Sequence, residues 1–214
     1  MLDKSIEFKS IIMRLDKPAS QNFGEPVLPN GFSFRFFETS SDINHWGRIE
    51  ASVLEFASEE DASGYFARSF FPHAGDLQKR CLFVLDPSGL PIATANAWFA
   101  DSQLGHQASL TWVAVCLEYQ GQGIGKAIVQ KALSVFRDLE PGNAIWLHTQ
   151  TWSHVAVRLY HALGFNVVRA DRLANMNSKD GKPKLYGNDY AEAVCVLKAV
   201  MEPEYVDELV NTSV

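Results

Sequence analysis

Residues 110–133, LTWVAVCLEYQGQGIGKAIVQKAL, constrain this chain more than any other segment. An apolar strand pattern ends near Cys116, a four-residue turn follows, and Gln120-Gly121-Gln122-Gly123-Ile124-Gly125 opens an amphipathic helix. Glycines there let the backbone approach a ligand and take conformations closed to other residues. The free amides of the first helical turn and the helix dipole make an anion site, to which Lys126 adds one charge. A Gly-x-Gly turn before a helix also serves purely structural ends. A Walker loop is excluded by the missing Gly-Lys-Ser/Thr, and a dinucleotide fold expects its glycine loop after the first strand of a βαβ unit. Here the loop falls in mid-chain, after an antiparallel hairpin pattern.

The elements around this segment read as follows. Residues 1–30 are an extended surface leader, punctuated by Pro18, Gly24, Pro26 and Pro29. A strand at 32–37 alternates Phe32, Phe34 and Phe36 with smaller or polar residues. A first helix starts near Ser41 with Ile43, Trp46, Ile49 and Val53 on one stripe. A second opens at Ser58, with Asp61 three residues on as a capping-box variant, and carries Phe66 and Phe70 up to Pro72. A hairpin follows around Asp86-Pro87-Ser88-Gly89, and another strand spans 108–116. The glycine turn opens a helix to Leu139 with Ile124, Ile128, Ala132, Val135 and Phe136 inward. A strand, AIWLHTQ, leads into a helix from Ser153 to Leu163, stopped by Gly164. Residues 165–168 form a strand and 170–187 a polar loop. Asn188 caps a last helix to about Met201, although 193–197 also fits a strand, and an acidic tail follows. The order is that of one mixed α/β domain.

Two blocks in this order resemble the GNAT superfamily of acyl-CoA-dependent N-acyltransferases. Gln120, Gly123 and Gly125 match its Arg/Gln-x-x-Gly-x-Gly/Ala turn. The segment Ala156-Val157-Arg158-Leu159-Tyr160-His161-Ala162-Leu163-Gly164-Phe165 is similar to its A-x-x-LY-x-x-x-GF helix. The resemblance covers residues 31–170, with the leader before it and 171–214 packed as loop, helix and acidic tail on the same domain. It implies a central, mostly antiparallel sheet of about six to seven strands, splayed between the fourth and fifth strands and flanked by helices. It also implies acetyl-CoA as cofactor and an amine as acceptor substrate. The sequence shows no extended acidic groove signature, so a small-molecule amine is preferred to a protein. The amides of Gln122, Gly123, Ile124, Gly125 and Lys126, with Gln120 and Gly121 in the turn, would hold the coenzyme pyrophosphate. Backbone groups of Val113 and Val115 would pair with the pantetheine arm, and the N–H near Ala114 would polarise the thioester carbonyl.

In the same resemblance Tyr160 is the acid that protonates the leaving thiolate. Ser153 stands where many members place Asn, capping its helix and contacting the cofactor. Some members carry a carboxylate base at the position of Ser109, so the base is open between His148 and water. Glu118 reads as a solvated turn residue. Trp112, Trp146 and Trp152 read as core or as an aromatic wall of the acceptor pocket. Glu55, Glu59, Glu60 and Asp61 read as acids of a helix start, one of which would attract a cationic amine if it faced the cleft.

Composition enters as exclusion. The net charge of −6 and pI near 5.5 argue against a nucleic-acid partner. The charge is uneven: Glu202, Glu204, Asp207 and Glu208 follow the last basic residue, whereas Lys126, Lys131 and Arg137 oppose only Asp138 beside the glycine turn. No apolar run approaches ~18 residues and no secretory signal is visible, so the reading is cytoplasmic with no membrane partner. Cys81, Cys116 and Cys195 share no metal spacing and read as reduced core thiols, so no metal is expected. A homodimer is compatible with all of this. A non-catalytic acyl-CoA-binding module is the alternative function, and a nucleotide-phosphate binder a third.

Overall fold

A computed structural model describes residues 2–102, 105–175 and 184–214. In chain order the strands are β1 (Ser10–Leu15), β2 (Ser33–Phe36), β3 (Cys81–Leu85), β4 (Pro91–Ser102), β5 (Gly105–Val115), β6 (Ile145–Gln150), β7 (Asn166–Val167), β8 (Leu173–Asn175) and β9 (Lys184–Tyr186). The helices are α1 (Asp42–Ser52), α2 (Glu59–Ser69), α3 (Ala74–Arg80), α4 (Ile124–Leu139), α5 (His154–Ala162), α6 (Tyr190–Val200) and α7 (Pro203–Asn211). The fold is mixed α/β with mostly antiparallel strand pairing. The chain packs as two compact units, one of residues 22–98 and 110–141, the other of 2–21, 99–109 and 142–214. Strands β4 and β5 each run from one unit into the other.

In the first unit the strand order is β2-β3-β4-β5, with β3 antiparallel to both β2 and β4. The β3–β4 turn forms as its residues demand. The Asp86 carboxylate accepts from Ser88 N at 2.8 Å, Ser88 Oγ at 2.6 Å and Leu90 N at 3.0 Å. Side chains of α4 fill the core as their spacing predicts: Ile124, Ile128, Ala132, Val135 and Phe136 are all buried. Trp46 and Ile49 of α1 are buried, and Trp46 packs on Phe66 at 4.9 Å. Alternation misassigns β2, where Phe34 and Phe36 are only half-buried while Phe37, one residue beyond, is buried and stacks on Phe66 at 5.8 Å. A third helix, α3, stands where only two were expected. It has seven residues and one wholly buried apolar side chain, Leu77, too little to show a period.

In the second unit the order is β5-β6-β1-β7. Strand β6 lies antiparallel to β1, with Ser10 opposite Gln150 and Leu15 opposite Ile145, and parallel to β5 through Ser109 and Trp146. β7 pairs with β1 at Met13 and Val167, β8 with the end of β4, and β9 with β8. The extended leader is therefore corrected at residues 10–15, which form an interior strand. Ile11, Ile12, Met13 and Leu15 are buried on both faces, and such a run lacks the alternation of a half-exposed strand. Residues before it dock as well: Trp152 Nε1 donates to Ile6 O at 2.6 Å and Thr151 N to Lys9 O at 3.0 Å. The loop expected over 170–187 contains β8 and β9, and its residues 176–183 lie outside the described ones.

Residues 190–200 are helix rather than strand. Asp189, not Asn188, holds the N-cap position, because Asn188 Nδ2 donates to Val168 O at 2.7 Å. The tail is no irregular segment: Pro203 opens α7, which buries Val206 and Leu209. Cys81 and Cys116 are core thiols as expected, but Cys195 is exposed on α6.

Candidate functional site

In the first unit the strand-to-helix turn after β5 is built with little side-chain help. A short 3₁₀ turn at Leu117–Tyr119 leads into extended Gln120, then Gly121 at φ 76° and Gly123 at φ 82°. Both angles are left-handed, so glycine is needed for the backbone itself. Space does not demand it: a Cβ at either position would meet nothing within 4 Å, so the turn presents open backbone. Gly123 is the N-cap of α4 and brings no side-chain cap, and the first turn of α4 holds no acid. Its first amides and positive dipole end therefore meet no capping side chain among the described residues, and Lys126 is exposed beside them.

The turn is held at its base. Gln120 Nε2 donates to Val115 O at 2.8 Å, and Tyr119 Oη donates to Asp86 Oδ2 at 2.9 Å. Ser88, with further bonds from Leu90 N and Tyr119, keeps the Asp86 carboxyl down at about 2, so it accepts from Tyr119 as an anion. Val113 and Val115 are half-buried and Ala114 is buried. Just before them Trp112 takes φ 54°, a left-handed angle for a bulky residue inside a strand. Its ring lies 5.1 Å from Tyr65, 5.3 Å from Trp46 and 5.6 Å from Phe56, so packing holds the strained backbone in place. Glu59, Glu60 and Asp61 are exposed in the first turn of α2, as is Glu118 in its turn. Burial raises the Cys116 thiol, which accepts from Arg48.

The second unit carries the other predicted residues. Tyr160, on α5, is buried, with its ring edge-on to Phe165 at 6.0 Å. Its carbonyl accepts from Leu163 N and Phe165 N as the helix stops at Gly164, φ 92°. Ser153 occupies the N-cap position of α5 but makes no capping bond, which corrects the expected cap; Gln150 Nε2 donates to its hydroxyl at 3.4 Å. Trp146 is buried against Ile12 and Val168, and the Arg14 guanidinium lies 5.3 Å from its ring. Trp152 is half-buried rather than core and packs against Phe8 at 5.0 Å. His148 is half-buried, and its Nε2 lies 2.6 Å from Ser10 Oγ. That partner is 138 residues away and has no sequence signature.

The turn residues and residues 113–115 thus share one unit, while Ser153, Tyr160 and His148 share the other. Among the described residues no group of three His, Cys, Asp or Glu is placed to hold a metal, and no helix is long and apolar enough to cross a membrane.

A family model described as the acetyltransferase (GNAT) family matches residues 46–165, more than half of the chain. A mycothiol acetyltransferase of Arthrobacter sp. (strain FB24) is 28% identical over 155 residues, covering 69% of this chain and 46% of the relative. A GCN5-related N-acetyltransferase from Sphaerobacter thermophilus superposes with TM-score 0.56 at 19% identity, over 76% of this chain and 49% of that one. A tandem GNAT protein from the clavulanic acid biosynthesis pathway gives TM-score 0.55 at 17% identity, over 80% and 53%. The chain spans about half the length of the curated relatives it matches.

Proposed function

The chain belongs to the acetyltransferase (GNAT) family, and on that premise we propose that it transfers an acetyl group from acetyl-CoA to the amine of a small molecule. The observation that carries the coenzyme half is the N-terminus of α4: two left-handed glycines, no side-chain cap, no acid in the first turn, and Lys126 alongside. A pyrophosphate meets there the amides of residues 122–126 without displacing any capping side chain. The curated relatives, by name, acetylate a small molecule, which supports that acceptor class over a protein.

The bound coenzyme supplies an acyl group already activated as a thioester. The chain's residues then position and move protons. Main-chain groups of Val113 and Val115 align the pantetheine arm, and the N–H near Ala114 donates to the thioester oxygen as it gains charge. Ser153 contacts the cofactor, and Tyr160 donates its phenolic proton to the departing sulfur. As the acceptor nitrogen bonds to the acyl carbon, the C–S bond breaks and the nitrogen sheds a proton. No nucleophile on the protein is required.

The test is calorimetric binding of acetyl-CoA followed by thiol release with a panel of small amines. Coenzyme binding with turnover of at least one amine is expected, and Tyr160→Phe should cut kcat about 10- to 100-fold with coenzyme affinity kept. Binding without turnover on any amine would replace this reading with that of an acyl-CoA-binding module.

A further inference from the structure

We infer that α6 is an interaction surface for a second copy of this chain, the two helices meeting antiparallel across a two-fold axis at Cys195. Between Tyr190 and Val200 the only charged residues are Glu192 and Lys198. One apolar face of the helix points inward, where Ala193 and Leu197 are each 2% exposed. The opposite face is exposed and apolar as well: Ala191, Cys195 and Ala199 run along it, with half-buried Val194 and Val196 at its margins. A surface helix of a single chain carries polar residues on that side. One that is apolar all round is a helix covered on both sides.

The two charges identify what covers it. With about 100° between successive residues, Ala191 and Ala199 lie about 40° to either side of Cys195. Glu192 and Lys198 lie about 60° to either side, each about 4.5 Å along the axis from Cys195 and in opposite directions. A two-fold axis through Cys195 therefore sets Glu192 against the partner's Lys198, Lys198 against the partner's Glu192, and each Ala191 against the partner's Ala199. The face is complementary to itself, which is the condition for an isologous interface. A second copy supplies that match by symmetry alone.

The neighbouring charges leave the pairing open. Lys198 meets Asp207 of α7 at 2.7 Å, with 46% and 60% of the two side chains exposed. An ammonium has three donors, so it can hold a second carboxylate from the partner. At the other end of α6, Lys9 lies 3.0 Å from Glu7, and Asp189 and Glu192 act on it too. Three acids there share one lysine, and the partner's Lys198 adds a second cation. Alanine at 191 and 199 permits close approach. With the axes about 9–10 Å apart, the two Cys195 Cα atoms come to about 5 Å, within disulfide reach.

A single helix pair is a small interface, so half-dissociation is expected on the order of 10–100 μM. Sedimentation of the reduced full chain between about 5 and 500 μM should show monomer passing to dimer. Glu192→Lys and Lys198→Glu should each weaken the dimer about 10-fold, and the double variant should return to within about threefold of wild type. All of these side chains are exposed, so the fold is kept, as circular dichroism would check. Diamide accepts two electrons and two protons as two thiols join. It should link wild-type copies through Cys195, because the other two cysteines are buried, and should link E192K far more slowly. A monomer at the highest concentration overturns the inference. A dimer indifferent to either charge reversal, no recovery in the double variant, or equal cross-linking of E192K overturns it as well.

Discussion

Two helices of the first unit begin in opposite ways. α2 satisfies itself: Ser58 Oγ accepts from Asp61 N at 3.0 Å, and Glu59, Glu60 and Asp61 face the positive end of the dipole. α1 is self-sufficient by another route: Asp42 N, Ile43 N and Asn44 N donate to the carbonyls of Thr39, Ser40 and Ser41, and the buried Asp42 carboxylate of its first turn accepts from Glu38 N, Thr39 N and both Nη atoms of Arg35. α4 has none of this, only glycine at its N-cap and a lysine nearby. A helix start that its own sequence caps is spent on stability. One left uncapped, behind a turn that needs two glycines, is what the proposed coenzyme site calls for.

The comparison can be broken at either end. The largest effect is expected at Asp42. Its burial opposes ionisation, but Arg35 and the amides of Glu38 and Thr39 outweigh that and hold its carboxyl below the usual range. Asp42→Asn should cost about 3 kcal/mol of stability at pH 7, read by chemical denaturation, because it takes a buried anion away from a half-buried guanidinium and leaves it to the exposed Glu38 carboxylate. The folded-state pKa is lowered, so the stabilisation is present above the ordinary Asp pKa of about 3.9 and lost as pH falls below it. Mutant and wild type should therefore converge in acid. Next, Gly123→Asp would convert α4 into a helix of the α2 kind. A carboxylate at the N-cap should weaken acetyl-CoA about 100-fold in a binding titration, roughly 2.7 kcal/mol. Lys126→Glu should weaken it about 10-fold, with the loss shrinking as salt rises. Smallest, Ser58→Ala should cost about 1 kcal/mol of stability and leave coenzyme affinity unchanged, because that terminus serves only the fold. If Ser58→Ala weakened the coenzyme as much as Lys126→Glu, the contrast between the two termini would be lost.

Legibility followed the range of the physics. The glycine turn, the Asp86 turn, the Ser58 cap and the inward face of α4 are written in residues within a few positions of one another, and the structure forms all four. β1 was hidden because burial on both faces leaves no alternation, and its β6 partners lie at least 130 residues further on, Leu15 facing Ile145 and Ser10 facing Gln150. α7 was hidden behind acids that read as a tail, although Val206 and Leu209 fall on one face. β8 and β9 have three residues each, too few for any period. In the candidate site, the backbone turn was readable and the side-chain contacts were not. Nothing local announces that Ser10 would meet His148, or that Trp112 would be held left-handed by rings from α1 and α2.

The pairing of β1 with β6 has a consequence in time. On a ribosome adding about 5–20 residues per second, Ile11, Ile12 and Met13 emerge roughly 10 s before their partners at 147–149 exist. For that interval the most hydrophobic stretch of the N-terminal segment is an unpaired strand, open to association with other chains. Closure of the second unit therefore waits on residues far along the chain, and ordering of β1 depends on the arrival of β6.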